Sequence, residues 1–346
     1  MVGSYQDRIE KQRRIARVRA DVGASVLLTG HESLSWYLDG VRTHVSLAGP
    51  PVLAVRADAD GDTLYVADNE ADRLISEELL PADGERVVRV PWWIAPAEAA
   101  AAAAPAIAES GIAPALRAAR ARLLPAETDR YRVLGRETAE VLTDVLSAAR
   151  PGWTERRTAS EVAAGLIARG IDPLVVLVSG TRRAQLRHPL PTSAPLGARA
   201  MVVVCGRRNG LIANATRWVG EAADDQPILA VERAFLDASV PGARLDEAFA
   251  AGCAGYAAAG LHAGEWRRHH QGGPTGYAGR DPRATASTAD LIVEGQAFAW
   301  NPSAPGVKVE DTMLRTAEGW EVLTADRRWP STEHAGLRRP TAMPYL

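Results

Sequence analysis

Apolar residues recur with helical spacing over residues 5–21, where Ile9, Ile15 and Val18 stand among arginine, lysine and glutamate; this predicts an amphipathic surface helix. Short β-like runs follow at 24–28, 52–56 and 63–66, separated by Gly- and Asp-rich turns, with one more at 87–90 ending at Pro91. Strands alternating with helices over this first stretch predict a small α/β domain. The texture changes at 123–125. A long helix is expected over 127–149, beginning after Pro125 and stopped by Pro151-Gly152, and a second follows Thr154 as its N-cap, with Glu155 and Glu161 early in the run. Wholly apolar runs at 174–178, 200–204 and 297–300 read as buried strands. Helical patterns cover 226–238 and 245–259, the latter ending at Gly260. The boundary therefore falls near residue 122, dividing the chain into domains 1–122 and 123–346 of mixed α/β (α+β) class.

Composition adds mostly exclusions. Of 346 residues, 47% are hydrophobic and 24% charged, ordinary proportions for a globular chain with room for two cores. A formal net charge of -2 offers nucleic acid or an anionic membrane no bulk attraction. The N-terminus has no apolar leader core, and no run nears the roughly 18 apolar residues a spanning helix needs. The Ala-rich segment 95–108 is interrupted by Pro96 and Pro105. A soluble, cytoplasmic protein is expected. Cys205 and Cys253 cannot build a disulfide framework, and Cys205 reads as an inert buried thiol. Lysine occurs only at Lys11 and Lys308 among many arginines, a bias that fits a GC-rich coding genome as well as it fits any function.

Six short motifs then stand in series. Ser35-Trp36-Tyr37-Leu38-Asp39-Gly40 comes first, and Pro151-Gly152 with Thr154 and Glu161 second. The third runs from Val178-Ser179-Gly180-Thr181-Arg182-Arg183-Ala184 to His188-Pro189; the fourth is Gly206…Asn209-Gly210…Asn214-Ala215-Thr216-Arg217. Residues 269–276, His-His-Gln-Gly-Gly-Pro-Thr-Gly, are the fifth, and Gly295-Gln296-Ala297-Phe298…Asn301-Pro302…Glu310-Asp311-Thr312 the sixth. In this order and spacing the chain resembles the creatinase, prolidase and aminopeptidase P superfamily over nearly its whole length. The resemblance implies a creatinase-like N-terminal α/β domain followed by a C-terminal pita-bread domain.

That family's dinuclear centre takes two Asp, one His and two Glu, hard oxygens plus an imidazole that activate a bridging water. Here the matching positions hold Val203 or Val204, Asn214, Gly273 and Asn301, and only Glu310 keeps a carboxylate. One carboxylate cannot offset two divalent ions taken out of water. No metal and no other cofactor is therefore expected.

The family's metal-free precedent, creatinase, hydrolyses a C–N bond with a histidine and glutamates, and its histidine matches His188. A catalytic set of His188, Glu310 and His270 is expected: imidazole moves protons, and Glu310 orients a cationic group or a water. The plain alternative for His188 is a loop residue before Pro189. His269 and Gln271 are expected to line the pocket, with Asn214 and Asn301 as neutral hydrogen-bonders. Tyr277, Arg280, Asp281 and Arg283 stand where the family keeps further polar groups, and Arg280 or Arg283 suits a substrate carboxylate. Arg217 reads as a structural link between strands. Relatives are commonly homodimers, and by that resemblance Arg42 or His44 would reach a neighbouring subunit's pocket. The expectation is thus a metal-independent, creatinase-like hydrolase of a C–N bond in a small polar amide or amidine. A lyase, isomerase or cyclase of a specialised biosynthetic pathway, a non-catalytic binding protein and an Xaa-Pro metallopeptidase stay open as alternatives.

Overall fold

The computed structural model describes residues 4–346, which form two compact units: the chain to Thr128 with Asn209–Leu211, and Asp129–Arg208 with Ile212–Leu346. The first unit opens with the helix Tyr5–Val22, capped by the Ser4 side chain on Asp7 N–H and closed by Gly23 in the left-handed region. Its charged residues do not all face water as the sequence pattern suggested. Lys11 is fully buried, with Nζ 2.5 Å from Asp39 and 2.7 Å from Glu127. Arg8 is buried against Asp62 and Asp83. A five-stranded sheet follows, its centre formed by Val26–Leu28, Leu53–Ala57 and Asp62–Ala67, with Val87–Val90 and Ile107–Ala108 at the edges. The helices His31–Tyr37, Pro96–Ala103 and Ala113–Ala121 complete the unit; the first is too short and the second too Ala-rich to carry a strong periodic signal.

In the second unit the helices Pro125–Ser147 (its first turn counted with the first unit) and Glu155–Ala168 lie where the capping signals predict them. Thr154 Oγ1 accepts from Arg157 N–H. Two antiparallel-rich sheets build the scaffold of the site. One orders Asp172–Ser179, Arg199–Arg208 and Leu211–Gly220; the other orders Trp320–Val322, Met313–Arg315, Ala297–Trp300 and Gly272–Thr275. The helices Gln226–Ala238 and Leu245–Ala258 pack Phe235, Leu245 and Tyr256 into a core with Phe298 and Trp300.

Residues 272–275 of the fifth motif form a strand paired in register with Trp300 to Ala297. The glycines explain it. Gly272 has φ +97°, and a Cβ there would lie 2.1 Å from the Ala299 carbonyl oxygen, so only glycine lets the two backbones come this close. Among the described residues no helix is long and apolar enough to cross a membrane.

Candidate functional site

The strand Leu211–Gly220 is buried at every position, polar ones included, so its polar side chains need internal partners. They find them in 310–312. Thr216 N–H donates to the Glu310 carbonyl, and Thr312 Oγ1 both accepts from Asn214 N–H (2.7 Å) and donates to its carbonyl (3.1 Å). This cross-strand pairing fixes the Glu310 side chain beside Thr216. There the carboxylate is fully committed. Lys308 Nζ reaches Oε2 at 2.5 Å, Arg280 Nη2 reaches Oε1 at 2.5 Å, and Thr216 donates to Oε2 at 3.0 Å. Burial alone would push this carboxyl up, but Lys308 and Arg280 more than reverse that and hold it well below the usual range. Lys308 also donates to Thr216 Oγ1 at 2.8 Å. Glu310 was expected to orient a cationic substrate group or a water; its oxygens are instead taken by two resident cations.

Lys308 stood out in the sequence only as one of two lysines, with no role at the site. It closes the strand Val307–Lys308, two residues before Glu310, and its side chain meets the Glu310 carboxylate.

Three histidines gather from distant parts of the same unit. His188 stands in the exposed loop after Thr181–Arg183, a loop tied down where Arg187 pairs with Glu265. His269 and His270 follow the short 3-10 turn Glu265–Arg268. His269 Nε2 lies 3.1 Å from His188 Nε2, and the ring centroids are 4.8 Å (188–269), 4.4 Å (269–270) and 5.7 Å (188–270) apart. A 3.1 Å nitrogen–nitrogen contact requires one ring to donate and the other to accept, so not both are protonated. Burial, reinforced by Lys308, pushes His269 down to about 2; burial with Arg280 and Arg283 takes His270 to about 3. His188 is lowered too, mainly by burial and then by Lys308. The cluster is therefore neutral near pH 7.

These histidines make stability depend on pH. Their folded values lie below the ordinary 6.5, so the unfolded chain binds protons that the folded chain refuses. Stability is fully present above about pH 6.5 and is lost as pH falls towards about 3, by about 1.4 kcal/mol per unit per histidine. Going from pH 6.5 to pH 5 should cost roughly 2 kcal/mol for each of His269 and His270. Urea unfolding across this range should show a steep fall, and His270→Gln should make it shallower by about 1.4 kcal/mol per pH unit. An unchanged slope in that variant would rule out this origin.

The remaining expected site residues divide clearly. Gln271 is buried and spent: it accepts from the Tyr256 hydroxyl at 2.7 Å and donates to the Trp266 and His269 carbonyls, so it braces the histidine turn and is not free for a substrate. Asn214 donates to Thr275 Oγ1 at 3.0 Å, while its Oδ1 is buried without a protein partner, as is Asn301 Oδ1. Tyr277 is buried, Asp281 half-buried, and Arg283 exposed with its charge felt at His188 and His270. Arg280 is anchored on Glu310 and the Gly279 carbonyl. Arg42 lies in the first unit, where its guanidinium meets Glu78 at 2.5 Å. Cys205 is pushed up to about 12, chiefly by burial, and is no thiolate nucleophile. Arg217 is the structural link expected, donating to Asp311 (2.9 Å) and the Thr324 carbonyl (2.5 Å).

A dinuclear centre of the family type does not fit these residues. Asn214 and Asn301 bring no charge, Gly273 no side chain, and Glu310 is already held by Lys308 and Arg280, whose two positive charges exceed its one negative charge. Two more cations beside those two would be repelled.

The architecture is the pita-bread fold of prolidases and proline-specific aminopeptidases. Dipeptidase PepE from Mycobacterium ulcerans superposes with a TM-score of 0.74 at 20% identity, over 98% of each chain. The prolidase from Pyrococcus horikoshii OT3 gives 0.74 at 18% identity, over 92% of this chain and 99% of its own. The X-Pro aminopeptidase from Thermotoga maritima MSB8 gives 0.68 at 13%, over 92% and 98%. No protein-family model and no curated protein matches the sequence.

Proposed function

We propose that the protein is a hydrolase of a C–N bond in a small polar amide or amidine, working without the metal pair of the peptidase architecture it shares. The observation that carries this reading is the neutral histidine cluster, with His188 contacting His269 at 3.1 Å. Of the three imidazoles His188 is the most exposed, and His269 and His270 are too weakly basic to carry a proton near neutrality. His188 is the acid–base group: it takes a proton from water as the oxygen attacks the carbonyl or amidine carbon, then returns it to the departing nitrogen. His269 orients its ring. Lys308, Arg280 and Arg283 outnumber the single carboxylate of Glu310, and this excess of positive charge favours a substrate bearing a carboxylate. Likeness to solved dipeptidases and X-Pro aminopeptidases supports hydrolysis as the reaction.

The test is turnover of a panel of small N-acyl and N-amidino amino acids by chelator-treated protein in oxygen-18 water. Hydrolysis places the label in the product, and His188→Ala should lower kcat by about 10²–10⁴-fold. Unlabelled product would sink the hydrolytic reading; full activity of the variant would sink His188 as its acid–base group.

A further inference from the structure

The three histidines carry a second implication. Each offers one ring nitrogen, and the three nitrogens lie within 4.8 Å of one another with no carboxylate in the group. His270 Nδ1 is buried with no protein partner, which leaves a buried lone pair or N–H unanswered. We propose that His188, His269 and His270 form a binding site for a single borderline transition-metal ion, Zn2+ foremost, made entirely of imidazoles and distinct in its donors from the carboxylate-rich dinuclear centre of the peptidases that share the fold.

The spacing suits it. Zinc–imidazole bonds of about 2.0–2.1 Å place two ligand nitrogens about 3.3 Å apart in a tetrahedral arrangement. The His188 and His269 Nε2 atoms are already 3.1 Å apart. The widest spacing, 4.8 Å, exceeds the roughly 4.2 Å that two such bonds can span. A closing movement is needed, and the His188 side chain, the exposed one of the three, is the one with room to turn. Three imidazoles leave a fourth position open. Neutral nitrogen donors select zinc, copper, nickel or cobalt over the hard ions magnesium, calcium and manganese. The neighbouring cations sharpen that selection. Lys308, Arg280 and Arg283 oppose a dication and only Glu310 offsets them, so an ion held mainly by its charge gains nothing here, and the open position favours an anion such as chloride or hydroxide.

Loading the site takes up the imidazole lone pairs that the acid–base reading needs, so zinc should inhibit turnover; this consequence rests on that reading, whereas binding does not. Chelator-stripped full-length protein is titrated with Zn2+ by calorimetry, and its metal content is read by elemental analysis after desalting. One zinc per chain is expected, with affinity falling about a hundredfold or more in His188→Ala and in His270→Ala, and with no measurable uptake of Mn2+. Cobalt loading should produce the visible absorption bands of a four-coordinate nitrogen site. Circular dichroism checks the fold, and the exposed His188 variant keeps the test informative should the other misfold. No zinc retained, equal affinity in the folded variants, or manganese bound as tightly as zinc overturns the site. Zinc bound without loss of turnover leaves the site standing and defeats the acid–base reading. Turnover that needs His188 in protein that takes up no zinc does the reverse.

Discussion

Lys308→Met should destabilise the protein by about 3 kcal/mol and, at the same time, make it less sensitive to acid. Lys308 is buried, and its ammonium meets Glu310 Oε2 at 2.5 Å and Thr216 Oγ1 at 2.8 Å. Methionine fills most of the volume but leaves a buried carboxylate with Arg280 as its one cationic partner. Removing one member of a buried pair costs about 3–5 kcal/mol, and the surviving Arg280 contact places this case at the lower end. The acid response follows from the neighbours. After burial, Lys308 is the largest influence holding His269 down. Without it His269 accepts a proton at higher pH, so the loss of stability below about pH 6.5 ends at a higher pH and is smaller in total. Pairing Lys308→Met with Glu310→Gln removes the stranded charge and should recover part of the loss. Urea midpoints for both variants at pH 7 and at intervals down towards pH 3 decide the matter. A single-variant loss below about 1 kcal/mol would mean that the Glu310 carboxylate does not depend on Lys308.

The prominence of Lys308 marks a limit of reading the chain as a string. Lys11 and Lys308 are the only lysines, a scarcity that fits a GC-rich coding genome. Yet both are buried and paired, Lys11 with Asp39 and Glu127, Lys308 with Glu310. A rare residue type kept at two positions was a usable signal. Much of the scaffold was legible because local physics fixes it: the helix Gln226–Ala238 and the strand Ala297–Trp300 fall where the pattern puts them, and Thr154 caps its helix. The strand Leu211–Gly220 was not, since its Asn214, Thr216 and Arg217 break the apolar pattern and are satisfied chiefly by residues some 61 to 107 positions away. Gly272–Thr275 hid for the opposite reason, being poor in strand-forming residues and held by close backbone approach. The histidines could be picked out singly, but their convergence joins positions 81 apart and no spacing rule encodes it. The commitment of Glu310 to Lys308 and Arg280 needed coordinates for the same reason.

Arg339→Met should cost about 3–5 kcal/mol, although the residue lies close to the C-terminus. The guanidinium is almost wholly buried in the strand Leu337–Pro340. It grips Glu232 with two bonds, at 2.7 and 2.6 Å, and donates to Asp311 Oδ2 at 2.8 Å. Asp311 also receives Arg217 and the Thr324 hydroxyl, so two arginines and two carboxylates close a buried network of balanced charge. Taking out one cation leaves the network with a net negative charge away from water, which is why the expected loss exceeds that of an ordinary surface pair. Glu232 is the more exposed to this loss, because burial already pushes its carboxyl up and Arg339 is the chief influence opposing it. Replacing Glu232 with Gln as well should return part of the stability, and the two substitutions should couple by more than about 1 kcal/mol in a double-mutant cycle. Asp311 adjoins Glu310 and pairs through Ala215 with the strand that carries Thr216. A loosened Asp311 therefore shifts the backbone that positions the Glu310 carboxylate and the two cations held on it. The Arg339→Met variant should bind an anionic ligand more weakly at temperatures where it is still folded. Additive single losses together with unchanged ligand affinity would separate this network from the site.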